Sequence, residues 1–246
     1  MKLTAQQVYD KLIDEDRILT VEGQIRFFLG DVSIIVKQKD VVGNIIQEWL
    51  EGWLKKHEIA YDPNPNTQMP PDIFLDPDDH TKNLLEVKAF NRSASPGFDI
   101  ADFKAYTREI VEKPYMLHAK YIIFGYKMSD AGVVTIANLW LKNIWEISRS
   151  SEQWAINVQY KNKMIQKIRP ATWYSSAKTN YPVFQSLEHY LSAIEETMYN
   201  YPDTRPQAIG WKKSMEKSYN AFYGTHIMIP RWMDIEEQYR KNKPGL

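Results

Sequence analysis

The run NLLEVKAF (83–90) constrains this chain more than any other stretch, because a strand that is apolar on both sides is broken there by Glu86 and Lys88. Strand side chains alternate with a period of two, so Glu86 and Lys88 share one face while Leu85, Val87 and Ala89 point into a core on the other. Fourteen residues upstream, Pro71–Asp72 opens the short apolar run DIFL (72–75). The polar turn DPDDHTK between the runs predicts an antiparallel hairpin that brings Asp72 across to the face carrying Glu86 and Lys88. Two carboxylates and an ammonium within a few ångströms suit a hard divalent cation. Mg²⁺ prefers oxygen ligands and is commonly held by one or two carboxylates, which here would be Asp72 and Glu86 with the Val87 carbonyl. An ordinary cross-strand ion pair is the competing reading of the same residues.

Around this hairpin the pattern predicts a mixed α/β fold. Residues 4–18 predict a helix and EGQIRFFLGDVSIIVKQ (22–38) a hairpin turning at Gly30–Asp31. Val42, Ile45, Ile46, Trp49, Leu50, Trp53 and Leu54 form a helical stripe ending near His57. Glu48 lies at the edge of that stripe and is a candidate fourth acid, with Gln47 or Glu51 as alternatives. DPNPNTQMPP (62–71) reads as a loop. A helix is expected within 95–113, and strands over 118–128 and 132–141 with their turn at Asp130–Gly132. Short strands are expected within 152–160 and 163–174, then a loop at 175–182, a helix over 186–201 and a Pro-interrupted aromatic tail. We expect one domain over residues 1–246, with residues 1–40 as helix and hairpin and 201–246 as an extension.

Composition removes whole classes of chemistry. Cysteine is absent, which excludes disulfides, thiolate metal sites and a cysteine nucleophile. Neither GxGxxG nor GxxxxGK[ST] occurs, so no nucleotide-phosphate loop is visible. No apolar run reaches the roughly 18 to 20 residues of a membrane helix and the N-terminus lacks an apolar leader, so a cytoplasmic location without membrane association is expected. The net charge of zero hides a segregation: residues 1–103 carry 11 Lys/Arg against 18 Asp/Glu, and residues 104–178 carry 12 against 5. A basic stretch after an acidic one fits a polyanion-binding surface beside a cation site. Lys104, Arg108, Lys113 and Lys120 are candidate phosphate contacts, as are Lys161, Lys163, Lys167 and Arg169.

The order Pro71–Asp72, Glu86–Val87–Lys88, preceded by an acid-bearing helix, resembles the PD-(D/E)xK nuclease superfamily, and within it the type II restriction endonucleases of the EcoRV-like group. An NgoBV-type kinship is the alternative within that class. VVGNIIQEWLEGWLKKHEIAYDPNPNTQMPPDIFLDP looks like that group's helix, variable loop and first catalytic strand, and AKYIIFGYKM with NLWLKNIWEI like its later core strand and following segment. The resemblance implies a restriction-endonuclease-like core, a mixed sheet flanked by helices, with residues 41–128 as catalytic core, 129–200 as the DNA-recognition part and a dimerisation role for 1–40. It implies that Asp72 and Glu86 bind Mg²⁺, that Lys88 assists the attacking water, and that Glu48 supports the helix side. The EcoRV enzyme itself has Asp where this chain has Glu86. The loop before Pro71–Asp72 would approach the minor groove through Asn64, Asn66, Thr67 and Gln68, and Ser175, Ser176, Lys178, Thr179 and Asn180 would read the major groove. A homodimer on palindromic double-stranded DNA follows, with a cognate DNA methyltransferase as functional counterpart. The alternatives are another PD-(D/E)xK nuclease acting in repair or junction resolution, and a non-catalytic DNA-binding module.

Overall fold

The computed structural model describes residues 1–66, 69–175 and 178–241. In chain order the elements are helix α1 (Ala5–Asp10), strands β1 (Glu22–Gln24), β2 (Arg26–Leu29) and β3 (Val32–Ile35), and helix α2 (Val41–Lys56). Strands β4 (Asp62–Pro63), β5 (Ile73–Phe74), β6 (Leu84–Asn91) and β7 (Ala101–Asp102) follow, then helix α3 (Phe103–Glu112). After β8 (Lys120–Met128), β9 (Val133–Lys142), β10 (Val158–Lys161) and β11 (Met164–Ile168) come helices α4 (Leu187–Asn200), α5 (Arg205–Ala208), α6 (Trp211–Tyr223) and α7 (Trp232–Ile235). They gather into two compact units, one of Met1–Thr67, Pro71–Phe98 and Lys120–Lys142, the other of Gln68–Pro70, Asp99–Ala119 and Asn143–Leu246.

The first unit is built on a six-stranded sheet in the order β1-β9-β8-β6-β5-β4. Only β6 and β8 run parallel, and a parallel pair needs a long crossover, which residues 92–119 supply. Helix α2 forms where the stripe placed it, and Val42, Ile46, Leu50, Trp53 and Leu54 are its buried face. They pack with Ile73, Leu75, Leu85, Val87, Ile122 and Phe124 in one core. Each such side chain contributes about 1.5–3 kcal/mol by burial, which fixes α2 against the strands that bear the charged pair. Gly125 in β8 marks a break in the β8–β9 register, and a Cβ there would lie 2.5 Å from the Arg92 side chain and 2.9 Å from the Trp140 ring. Gly125→Ala is therefore expected to destabilise the protein by about 1–3 kcal/mol, measured by urea unfolding.

The expected N-terminal helix is shorter than its apolar spacing suggested. It runs over Ala5–Asp10 behind a reciprocal Thr4–Gln7 capping box and widens into a π-type turn at Lys11–Glu15. Strands β2 and β3 form the expected hairpin, with Gly30 at φ 56° in its turn.

In the second unit β10, β11 and β7 form a three-stranded sheet, and α4 buries Leu187, Tyr190, Leu191, Ala193, Ile194 and Met198. Three differences from the sequence reading have local causes. Helix α3 begins only at Phe103, because Asp102 caps it by accepting from the Ala105 N–H, and Phe98 and Ile100 precede it outside the helix. Strand β10 starts at Val158, since the preceding chain turns and the Ile156 N–H donates to Thr197 Oγ1. The tail after Tyr201 is helical: Pro206 sits in the first turn of α5, where proline is tolerated, and left-handed Gly210 and Gly224 bound α6. What reads as interruption in the sequence marks helix ends.

Candidate active site

The two strands pair as the turn-flanked runs required, with Ile73 opposite Leu85 and Phe74 opposite Leu84. On its other side β6 is held by β8, with Glu86 beside Tyr121 and Lys88 beside Ile123. Side-chain alternation then does the rest: Leu85 and Val87 enter the core, and Glu86 and Lys88 project from the opposite face. Asp72 arrives one residue before β5 and is clamped there, because the Val87 N–H donates to its Oδ2 at 2.8 Å. The loop is drawn closed behind it by Asn64, whose N–H donates to the Asp72 carbonyl at 2.9 Å and whose Nδ2 donates to the Pro71 carbonyl at 2.7 Å. Asp72, Glu86 and Lys88 are thus brought together.

Electrostatics distinguish this trio from a surface ion pair. The Glu86 side chain is 4 % exposed and that of Lys88 19 %, with Nζ 2.7 Å from Glu86 Oε1. Glu86 Oε2 is buried and has no hydrogen-bond partner. Burial, opposed by Lys88 and by a hydrogen bond from the Asp72 backbone N–H and reinforced by the Asp72 charge, raises the Glu86 carboxyl from 4.5 to about 7. Burial also raises Asp72, against the Lys88 charge and the Val87 N–H. An unpartnered carboxylate oxygen in a dry site is costly, on the order of 1–3 kcal/mol or more, and a hard cation is the species that offsets it. No group of three or more His, Asp or Glu that could hold a metal occurs among the described residues. A cation here would have two carboxylates, main-chain oxygen and water, the donor set that suits Mg²⁺.

The helix side of the site differs from the first expectation. A cleft of about 600 Å³ is lined by Asp40, Gly43, Asn44 and Gln47 and by Val87–Asn91 of β6. Glu48 is exposed and does not line it, because one residue along a helix turns the side chain by about 100°. Gln47 takes that place, and its Nε2 donates to Glu51 Oε1 at 3.2 Å. The spacing 40, 43/44, 47 would have found it as the polar counterpart of the apolar stripe.

The other expected contacts separate by how free they are. Lys104 is 2.8 Å from Asp203 and Lys113 2.8 Å from Glu109, so both are already ion-paired. Arg108 is exposed, and Lys120 is partly buried at the start of β8. Asn64 is engaged inside its own loop, and its Oδ1 accepts from the exposed Asn66. The Thr179 hydroxyl lies 2.6 Å from the carbonyls of Thr172 and Ser175, tying that loop together, while Lys178 and Asn180 are exposed and Ser175 is partly buried. Thr67, Gln68 and Ser176 lie outside the described residues.

A family model of the NgoBV restriction endonuclease matches residues 2–239. The chain belongs to that family. It is 61% identical over 241 residues to the type II restriction enzyme NlaIV of Neisseria lactamica, covering 98% of this chain and 99% of that one. It is 59% identical over 177 residues to the type II restriction enzyme NgoBV of Neisseria gonorrhoeae, covering 72% of this chain and 99% of the relative. The solved structure of NlaIV restriction endonuclease superposes with a TM-score of 0.95 at 61% identity, covering 98% of each chain. This family member is a type II restriction endonuclease, a site-specific deoxyribonuclease with the restriction-endonuclease fold expected from its sequence. Among its described residues no helix is long and apolar enough to cross a membrane.

Proposed function

We propose that this restriction endonuclease hydrolyses phosphodiester bonds of double-stranded DNA with Mg²⁺ held by Asp72, Glu86 and the Val87 carbonyl, leaving 5′-phosphate ends. The observation that carries the reading is the buried, unpartnered Oε2 of Glu86 beside Asp72 and Lys88. When bound, Mg²⁺ supplies Lewis-acid polarisation of the phosphate and a water of lowered pKa. Asp72, fixed by the Val87 N–H, and Glu86, fixed on the central strand β6, would supply the carboxylate oxygens. Lys88 orients the attacking water and neutralises charge that develops on the phosphate oxygens. Gln47 and Asn44 border the adjoining cleft and offer neutral hydrogen bonds to the DNA backbone.

Exposed Asn66, Lys178 and Asn180 have the chemistry to reach base edges, and Arg108 to reach phosphate. The protein acts as a homodimer on a palindromic site, which matches one active site to each strand, and the hairpin β2–β3 is the contact between copies. Its substrate places it in the cytoplasm, where a cognate methyltransferase protects the host's own sites.

Metal loading can be read without activity. Mg²⁺ is expected to raise the melting temperature of the wild type and leave that of Glu86→Gln unchanged, since binding to the native state alone stabilises by mass action. Equal shifts in both proteins would remove Glu86 from the metal site.

A further inference from the structure

The hairpin formed by β10 and β11 has a chemistry that the reaction above does not use. Asn162 and Lys163 have φ of 53° and 61°, closing a two-residue turn between the paired residues Lys161 and Met164. Turns of this hand match the strand twist and give a stiff tip. The base is anchored: Ile165 and Ile168 are buried, β11 pairs with β7, and the Tyr160 ring lies 5.6 Å from Trp154. All five tip residues, Tyr160 to Met164, are exposed.

Charge is distributed unevenly along this one element. Near the base, Lys167 lies 3.5 Å from Asp102, and Arg169 is ion-paired with Asp99. At the tip, Lys161 and Lys163 have no ion pair and no side-chain hydrogen bond among the described residues. The hairpin therefore neutralises its inner cations and presents two unneutralised ones on a rigid protrusion. In a chain whose substrate is a polyanion, that arrangement has an evident ligand.

We propose that the Tyr160–Met164 tip is a contact for the sugar–phosphate backbone of duplex DNA, with Lys161 and Lys163 each neutralising a phosphate. The inference rests on the nuclease reading and adds to it an interaction surface outside the catalytic hairpin and the two recognition loops. Each phosphate neutralised on duplex DNA releases condensed counterion and contributes about 0.9 to the slope of log K against log salt.

The test is binding of a short random-sequence duplex in EDTA, followed by fluorescence anisotropy between roughly 50 and 200 mM salt. Lys161→Ala/Lys163→Ala is expected to lower the magnitude of the slope by about 2. Lys167→Ala, whose cation already faces Asp102, is expected to leave it unchanged. Both tip lysines are exposed, and an unaltered melting temperature verifies that the fold survives. An unchanged slope in the double variant, with wild-type protein that binds and cleaves DNA, overturns the proposal and assigns the lysines to guarding the free edge of β10 against strand pairing. A wild type that binds no random-sequence duplex at any of these salt concentrations also overturns the proposal, because a backbone contact acts without sequence, and its cleavage of DNA in Mg²⁺ tests the nuclease reading separately.

Discussion

Glu86→Gln is expected to lower DNA cleavage by at least about 10³-fold while duplex binding survives, because it removes a cation ligand and leaves the basic surfaces untouched. The same substitution carries a second signature that involves no substrate. In the folded protein the Glu86 carboxyl is raised from 4.5 to about 7, chiefly by burial. Between those two values the folded state holds a proton that the unfolded chain has released, so the stability Glu86 contributes is complete below about pH 4.5 and is lost as pH rises through about 7. A shift of that size corresponds to on the order of 3 kcal/mol. In metal-free buffer the wild type should therefore lose on the order of 3 kcal/mol relative to Glu86→Gln between acidic and mildly alkaline pH. The attraction of Lys88 for the ionised carboxylate is already contained in the raised value and is not added to that difference. Urea unfolding of both proteins across the window measures it, and parallel profiles would contradict a buried, proton-holding Glu86.

Phe27→Asp combined with Leu29→Asp is expected to convert a homodimer into monomers. In hairpin β2–β3 Phe27 faces Ile34 and Leu29 faces Val32, so these four side chains share one surface of the ribbon. They are 54%, 53%, 73% and 65% exposed respectively, and Phe28 on the opposite surface is 66% exposed. A two-stranded ribbon is marginal in water without something packed on it. The exposed parts of these four residues amount to roughly 400 Å² per copy, so a symmetric contact across this face alone would bury roughly 800–900 Å², and residues beside the hairpin would supply the rest of the about 1,000 Å² that a specific interface needs. A second copy, as proposed above, would also supply two active sites to a two-fold DNA site. Sedimentation of the wild type should give a dimer and the double variant a monomer that nicks DNA poorly. A monomeric wild type, or a variant that remains dimeric, would remove the hairpin from that role.

The parts of this protein that were readable in advance are those where one local pattern decides the outcome. The apolar stripe from Val42 to Leu54 could only be a helix, and the two-residue spacing of Glu86 and Lys88 put both on one strand face. The helix acid was harder to place, because Gln47 and Glu48 differ by a single step of rotation, and the choice depends on how α2 lies against β6. The family resemblance put Asn64 in the loop that approaches the minor groove, and only the folded chain shows that its side-chain amide donates to the Pro71 carbonyl behind Asp72. The C-terminal helices were hidden because Pro206, Gly210 and Gly224 punctuate helix ends as readily as they interrupt chain, and Trp211 and Met215 decide between the two only through packing. Ion pairing across long sequence separations, such as Lys104 with Asp203, has no local signal at all.

The most direct measurement is incubation of the purified wild type and Glu86→Gln with unmodified phage-length duplex DNA, in Mg²⁺ or in EDTA, followed by sequencing of the ends. Discrete fragments that share one end sequence, formed by the wild type with Mg²⁺ and absent both in EDTA and with Glu86→Gln, are the expected result. Fragments formed equally in EDTA or by the Glu86 variant would contradict the site on β6.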